Sequence, residues 1–344
     1  MATKISKKVK TDRLIEALKL VSPGTVLRTA IDDLLQAGMG ALIVINSPDL
    51  KGIIEGGFKV NTKLTYQRIV ELAKMDGAII LSPDLSKILF ANVLLFPDIS
   101  IPTNETGTRH KAAERTARQA ETLTIAISER RKKITIYYGR LTYILKNTEE
   151  LLSRATETLQ ILEKQRELLD ELLGNLNVLE ISGLVVVGDV CSVLQRMEIL
   201  MRTARTVERY LIELGREGII IKMRLRELLK NVEKEKKFIL MDYYARENAL
   251  DEFSFDDLLD VDNIANLLFS KSGEDKVYAK GLRILNKMKM DKQDITLLLN
   301  NFDDLSSVLA ADEENLKKVI SDRTENFQKE ISSLKEQIMM AKKI

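Results

Sequence analysis

Apolar residues fall along this chain in two rhythms, and the change between them divides it. Through residues 1–145, short unbroken apolar runs alternate with stretches of helical spacing. Ala41-Leu42-Ile43-Val44-Ile45 is a β-branched run of strand length, and Ala78-Ile79-Ile80-Leu81 is another, ending at the turn signal Ser82-Pro83-Asp84. Ile53 to Val60 reads as a strand broken by Gly56-Gly57. Ile88 to Phe96, Leu123 to Ile127 and the alternating Ile134-Thr135-Ile136-Tyr137-Tyr138 close the set of strands. Leu14 to Leu18, Leu27 to Leu35, Leu64 to Lys74 and the alanine- and charge-rich Lys111 to Thr122 have helical periodicity. Elements interleaved in this way predict an α/β domain, a mixed sheet flanked by helices.

From residue 146 the texture changes. Proline is absent to about residue 240, and Leu152, Ala155, Leu159, Leu162, Leu169, Leu172 and Leu176 recur at helical spacing with Glu and Lys between them. A long amphipathic helix is expected, then further helices after Gly183 and Gly188 through Leu194 to Leu229. Residues 146–275 thus read as an all-α spine that positions domains or builds oligomer contacts. Its acidic end (Asp251, Glu252, Asp256, Asp257, Asp260, Asp262) reads as a hinge or a loosely packed helix. Residues 276–344 form a third, helical module opened by Gly281 to Lys289.

Composition narrows the function classes. With 53 Lys+Arg against 51 Asp+Glu, the formal charge of +2 gives no global case for nucleic-acid binding. The lone Cys191 excludes an internal disulfide framework and a cysteine-rich zinc site, and reads as a small buried hydrophobe of a reducing cytoplasm. The basic start (Lys4, Lys7, Lys8, Lys10) is followed by no long apolar stretch, so a secretory signal is not expected. Segments such as Ala41 to Ile45 are far too short to span a bilayer; a cytoplasmic protein without a membrane partner is expected.

Two segments carry chemistry. Asp76-Gly77-Ala78 stands between a helix and a strand, where a carboxylate is presented at the edge of a sheet and can hold Mg²⁺ or Mn²⁺ with substrate phosphates. Gly77 would let a nucleotide approach the backbone. The same Asp-Gly also reads as a simple turn. Thr106-Gly107-Thr108-Arg109-His110-Lys111 precedes a helix expected to begin near Lys111. Exposed N–H groups there, with hydroxyls and cations beside them, make an anion site. Arg109 can brace a phosphate bidentately and Lys111 adds a point charge. His110, the only histidine, can bind phosphate or move a proton, or be an ordinary polar residue. The Gly-Lys-Ser/Thr ending of a Walker loop is missing.

These segments resemble the paired signatures of diadenylate cyclase domains. The surrounding Gly56-Gly57-Phe58, Glu71-Leu72-Ala73-Lys74-Met75, Ala91-Asn92, Glu105-Thr106-Gly107 and Ile127-Ser128-Glu129-Arg130-Arg131 are similar as well. A cyclase domain, a helical spine and a helix-hairpin-helix tail, in that order, resemble the DisA family. The resemblance implies condensation of two ATP into cyclic di-AMP and two pyrophosphates, with Mg²⁺ or Mn²⁺, across two facing cyclase domains of a homo-oligomer, typically an octamer. It implies Asp76 as metal ligand, with Asp76, Arg109 and His110 catalytic. Gly77, Leu95, Thr108, Arg109, His110, Lys111, Ala112 and Ser128 would bind ATP. Lys111 stands where the family usually has arginine and Ala112 where it often has threonine, which implies weaker ATP binding with the chemistry preserved.

The tail departs further. Gly281-Leu282-Arg283-Ile284-Leu285-Asn286-Lys287 resembles the start of the family's C-terminal module, continued by Phe302, Leu305, Val308 and Leu309. Where a Gly-hydrophobic-Gly hairpin is expected, the chain reads Val319-Ile320-Ser321-Asp322-Arg323-Thr324, with side chains at both glycine positions. From Gly281 to Ile344 eleven Lys+Arg face eleven Asp+Glu, a neutral module. Binding of branched DNA is therefore expected to be weak or lost; the opposing view is a compensating face of Lys317, Lys318, Arg323 and Lys329. The alternative to an enzyme is a DNA-binding scaffold or sensor with a regulatory or inactive nucleotide site.

Overall fold

The computed structural model describes residues 12–245, 249–288 and 290–341; Lys4, Lys7, Lys8, Lys10 and Lys289 lie outside them. There are two compact units. One ends at Thr156 and takes in Glu208–Lys222; the other comprises Glu157–Val207 and continues from Met223.

The first unit is built on an eight-stranded mixed sheet. Its strands are β1 (Ala41–Ile45), β2 (Ile54–Glu55), β3 (Phe58–Lys63), β4 (Ala78–Leu81), β5 (Lys87–Leu95), β6 (Leu123–Ser128), β7 (Lys133–Tyr138) and β8 (Leu141–Ile144). They run in the order β2-β5-β4-β1-β6-β7-β8, with β3 also on β5. Only the β1–β4 pair is parallel; Ile43 stands opposite Ile79.

Apolar runs in β1 and β4 are unbroken, and β6 is buried from Leu123 to Ile127 with Thr124 its one polar residue there, because both faces of the sheet are covered. Ile43, Ile45, Ile79, Leu81, Ile125 and Ile127 turn to one core with Leu27, Ile31 and Leu34 of the helix Val26–Gln36. Leu42, Val44, Ile80, Ala126 and Tyr137 turn to the other, under Ala113 and Ala117 of the helix Thr108–Gln119. The small alanines let that helix lie close to the strands. Expected strands and helices are all present, with two differences. The set does not close at Tyr138, since β8 pairs with β7. The helix expected from Lys111 starts at Thr108.

The second unit is helical. It holds most of the long spine helices Thr148–Ser182 and Val187–Leu214, whose first and last turns respectively fall in the first unit; Thr148–Ser182 is ended by Gly183 at φ +66°. The acidic segment holds a packed helix, Val261–Phe269, with Ile264, Ala265 and Leu268 buried. Leu282–Leu285, Lys292–Asn301, Leu305–Ala310, Glu313–Ile320 and Thr324–Ala341 close over a core that includes Ile284, Leu298, Leu316 and Phe327. Beneath them lies a buried ionic cluster. Arg283 pairs with Glu180 at 2.5 Å, both side chains fully buried, and Tyr243 donates to the other oxygen of Glu180 at 2.8 Å. Asp242 accepts the backbone N–H groups of Gly281, Leu282 and Arg283 at 2.6–2.8 Å. Burial pushes its carboxyl up to about 6; these N–H groups pull it down and Glu180 pushes it further up.

Candidate functional site

The site grows out of one end of the sheet. The amino ends of β1 and β4 meet the carboxyl ends of β5 and β6 there: Ala78 is opposite Val93, and Ala41 opposite Ile127. Gly77 precedes β4 at φ +87°, and a Cβ on it would come 2.8 Å from the Val93 carbonyl oxygen and 2.9 Å from the Asn92 carbonyl carbon. The neighbouring strand thus requires a glycine here, a demand the sequence did not show, and Gly77 also lines the site's cavity. Opposite it, β5 bulges, with Asn92 at φ +54°. Gly77→Ala is expected to cost about 1–3 kcal/mol of stability through the forced left-handed backbone and the collision with β5. An unchanged urea midpoint would contradict that steric account.

On the other side, the helix Thr108–Gln119 opens at Gly107, whose extended backbone offers no capping side chain, and its first turn holds no acidic residue. The N–H groups of Thr108, Arg109 and His110 are left pointing outward, a ready anion site. The Arg109 guanidinium lies over Gly40, where a Cβ would collide with it.

Between the two sides is a cavity of about 710 Å³. The structure brings Gly77, Leu95, Thr108, Arg109, His110, Ala112 and Ser128 to its lining; Asp76 stands beside Gly77 and Lys111 beside His110 without lining it. Sequence reasoning left out Glu105, Arg130 and Arg131, which also line it. Arg130 and Arg131 follow Ser128 in the turn after β6, and Arg131 donates to Thr106 at 3.3 Å, tying that turn to the loop before the helix Thr108–Gln119. Glu105 and the two arginines lay inside segments already quoted for the resemblance, but their spacing carried no separate chemical signal. Tyr137 was legible only as an apolar strand position.

Electrostatics distinguish two members of the site. Burial holds half-buried His110 below the ordinary histidine range; Glu105 opposes this, while Arg109 and Arg131 add to it. Burial and the Glu105 carboxylate hold the Tyr137 phenol far above its ordinary value, so it keeps its proton. Asp76 is exposed and no side-chain hydrogen bond or ion pair engages it among the described residues. One unengaged carboxylate beside a cavity lined by cationic side chains fits Mg²⁺ or Mn²⁺, which takes one or two carboxylates plus substrate phosphate oxygens. Among the described residues no helix is long and apolar enough to cross a membrane.

Comparison with known proteins agrees with this arrangement. Residues 28–141 match the family described as DisA bacterial checkpoint controller nucleotide-binding, and residues 145–276 match the DisA bacterial checkpoint controller linker region. The chain is 45% identical over 324 residues to the DNA integrity scanning protein DisA of Acetivibrio thermocellus, covering 90% of each. It is 40% identical over 349 residues to that of Clostridium kluyveri, covering 97% of this chain and 99% of the relative. A crystal structure of DacA from Staphylococcus aureus matches at 21% identity over 43% of this chain and 95% of its own, with a TM-score of 0.30, too slight to bear on the fold. With relatives this similar along nearly its whole length, the chain belongs to the DisA family of DNA integrity scanning proteins.

Proposed function

We propose that this chain is a diadenylate cyclase, joining two ATP into cyclic di-AMP with release of two pyrophosphates. The supporting observation is the single cavity where an uncapped helix N-terminus and Arg109, Arg130 and Arg131 converge beside the Asp76-Gly77 junction. Such a cavity suits one triphosphate. Each 3′-hydroxyl must attack the α-phosphorus of the other ATP, in line with its departing pyrophosphate, so two cyclase domains face one another and one chain holds half of the reactants. An octamer of the family's type supplies such pairs.

Within one chain, the N–H groups of Thr108, Arg109 and His110 hold the triphosphate and Arg109 braces it with its planar fork. Leu95 and Gly77 border the nucleoside, and Ser128 offers a hydroxyl. Asp76 would hold Mg²⁺ or Mn²⁺, which when bound neutralises charge on the reacting phosphates. The cyclase occupies residues 1–145, the spine 146–275 and the tail module 276–344 of a cytoplasmic enzyme. Incubation of the purified chain with ATP and either metal, analysed by liquid chromatography and mass spectrometry, tests the reading: cyclic di-AMP is expected, and unaltered ATP is the contrary result.

Ala112 lines the cavity and Lys111 does not. Lys111→Arg with Ala112→Thr should therefore tighten apparent ATP affinity about fivefold, mostly through the new hydroxyl. Unchanged affinity would remove the idea that these two departures weaken binding.

The tail module is a packing or partner surface rather than a DNA reader. Ser321 takes a positive φ (+52°) where the family has glycine. Arg323, a candidate phosphate contact, pairs instead with Asp294 at 2.9 Å, and Lys317 pairs with Glu313 at 2.5 Å. With a neutral module and two of its four candidate cations, Lys317 and Arg323, paired with carboxylates, no salt-sensitive gel shift of branched DNA is expected at submicromolar protein. A shifted band that dissolves with salt would overturn this.

A further inference from the structure

Two groups that line the cavity, Glu105 and His110, are joined beneath it by a third, Tyr137, in a polar chain that phosphate binding alone does not require. The hydroxyl of Tyr137, a buried residue of β7, donates to Glu105 Oε1 at 2.8 Å and lies 2.9 Å from His110 Nδ1. The two rings meet edge-on, with centroids 6.3 Å apart. A phenol has one proton, and here it goes to a carboxylate that can only accept. The phenol oxygen is left with lone pairs, so Nδ1 of His110 must be the donor in the second bond. The neutral imidazole then carries its bare lone pair on Nε2. Free histidine favours the opposite tautomer, so the arrangement is imposed by its neighbours.

The charged and titratable groups facing this imidazole come from four places. Glu105 is on the preceding loop, Arg109 on the same helix, Arg131 on the turn after β6 and Tyr137 on β7. Burial and the two guanidinium groups lower the ring's affinity for a second proton, against the opposing pull of Glu105, and so favour the neutral imidazole. A triphosphate reverses that balance, since its charge offsets both guanidinium groups and its oxygens can accept but not donate.

We propose that Glu105 and Tyr137 are positioning residues that hold His110 as the Nδ1–H imidazole, and that an entering triphosphate converts it to the imidazolium. The added proton comes from solvent: an O–H bond of hydronium breaks, releasing water, as the N–H bond forms at Nε2, and no covalent bond of the relay changes. Its charge is balanced through the Nδ1–H···O–H···carboxylate chain ending at Glu105. His110 thus donates to phosphate only when phosphate is present. The second half of the proposal rests on the ATP reading; the first does not.

Because His110 is the only histidine, one isotope label reports it without assignment. The experiment uses full-length, untagged chain carrying ¹⁵N,¹³C-histidine, studied by magic-angle-spinning NMR near neutral pH, with and without α,β-methylene-ATP and Mg²⁺. Phosphorus signals in the same samples report nucleotide occupancy. The free protein should show a single Nδ1–H imidazole, and the nucleotide complex a doubly protonated ring. Glu105→Gln and the near-isosteric Tyr137→Phe should each move the free ring toward the Nε2–H tautomer. Each should also raise KM for ATP about tenfold while changing kcat less, as expected for a lost charge-assisted bond. An Nε2–H ring in the wild type overturns the relay. An Nδ1–H ring that stays neutral with nucleotide bound overturns the proton uptake. An Nδ1–H ring with no nucleotide bound upholds the relay and overturns the cyclase reading instead.

Discussion

Asp76→Asn is expected to lower cyclic di-AMP formation by about 10²–10³-fold while leaving the fold intact. The carboxylate is exposed, and no side-chain bond of the described structure depends on it. Asparagine keeps its size and one oxygen but loses the charge that a hard cation needs. The loss should fall on turnover more than on ATP binding, because the helix N-terminus and Arg109 remain to hold the triphosphate. A variant with normal turnover in saturating Mg²⁺ would remove Asp76 from the chemistry. A variant with a shifted urea midpoint would show that it supports the turn before β4.

The second large effect is on stability. Arg283→Met is expected to cost about 3–5 kcal/mol, because it leaves the Glu180 carboxylate buried without its cation. The guanidinium also donates to Asn177 at 2.7 Å and lies 3.6 Å from Glu235, so several partners lose it together. What remains for Glu180 is the Tyr243 hydroxyl. Pairing Arg283→Met with Glu180→Gln should restore part of the loss, since two neutral side chains carry no unpaired charge. Urea unfolding followed by circular dichroism measures both. A cost near that of an ordinary surface substitution, about 0.5 kcal/mol, would show that the pair contributes little.

This arginine marks where sequence reading stops. Gly281-Leu282-Arg283-Ile284-Leu285 is legible as the opening of a helix, and a charge inside it is expected to face water. Only the arrival of Glu180 from the long spine helix turns that position inward. The strands were more readable, because β1 and β4 are short, β-branched apolar runs and β6 is apolar but for Thr124 and Ser128, as strands covered on both faces are. By contrast β8 is short, and its residues alternate between half-buried and exposed, so its four residues carried little pattern. The start of the helix at Thr108 was hidden for a related reason. Gly107 gives no capping side chain, and the usual mark of a helix N-terminus is missing because those N–H groups are left open.

Much of the candidate site was legible as two motifs, since Gly77 and the Thr108-Arg109-His110 turn come to one cavity. Their mutual support was not. The Asp-Gly turn needs its glycine for the Asn92–Val93 backbone, which only the bulged register of β5 reveals. Tyr137 is both a core residue and the partner of His110, and period-two alternation reports only the first role. Ser321 shows the reverse limit. A missing glycine suggested a lost turn, yet serine adopts the positive φ (+52°) in its place.

The measurement that tests the central claim most directly is an isotope-mixing experiment. The full-length chain is given equal amounts of unlabelled and fully ¹³C,¹⁵N-labelled ATP with Mg²⁺ or Mn²⁺, and the products are resolved by mass. Condensation of two independent ATP molecules predicts cyclic di-AMP in light, mixed and heavy forms, the mixed form twice as abundant as either other (as random pairing requires). Bound ATP recovered unchanged, or broken down only to mononucleotides, would contradict the account and leave a nucleotide site that regulates without catalysing.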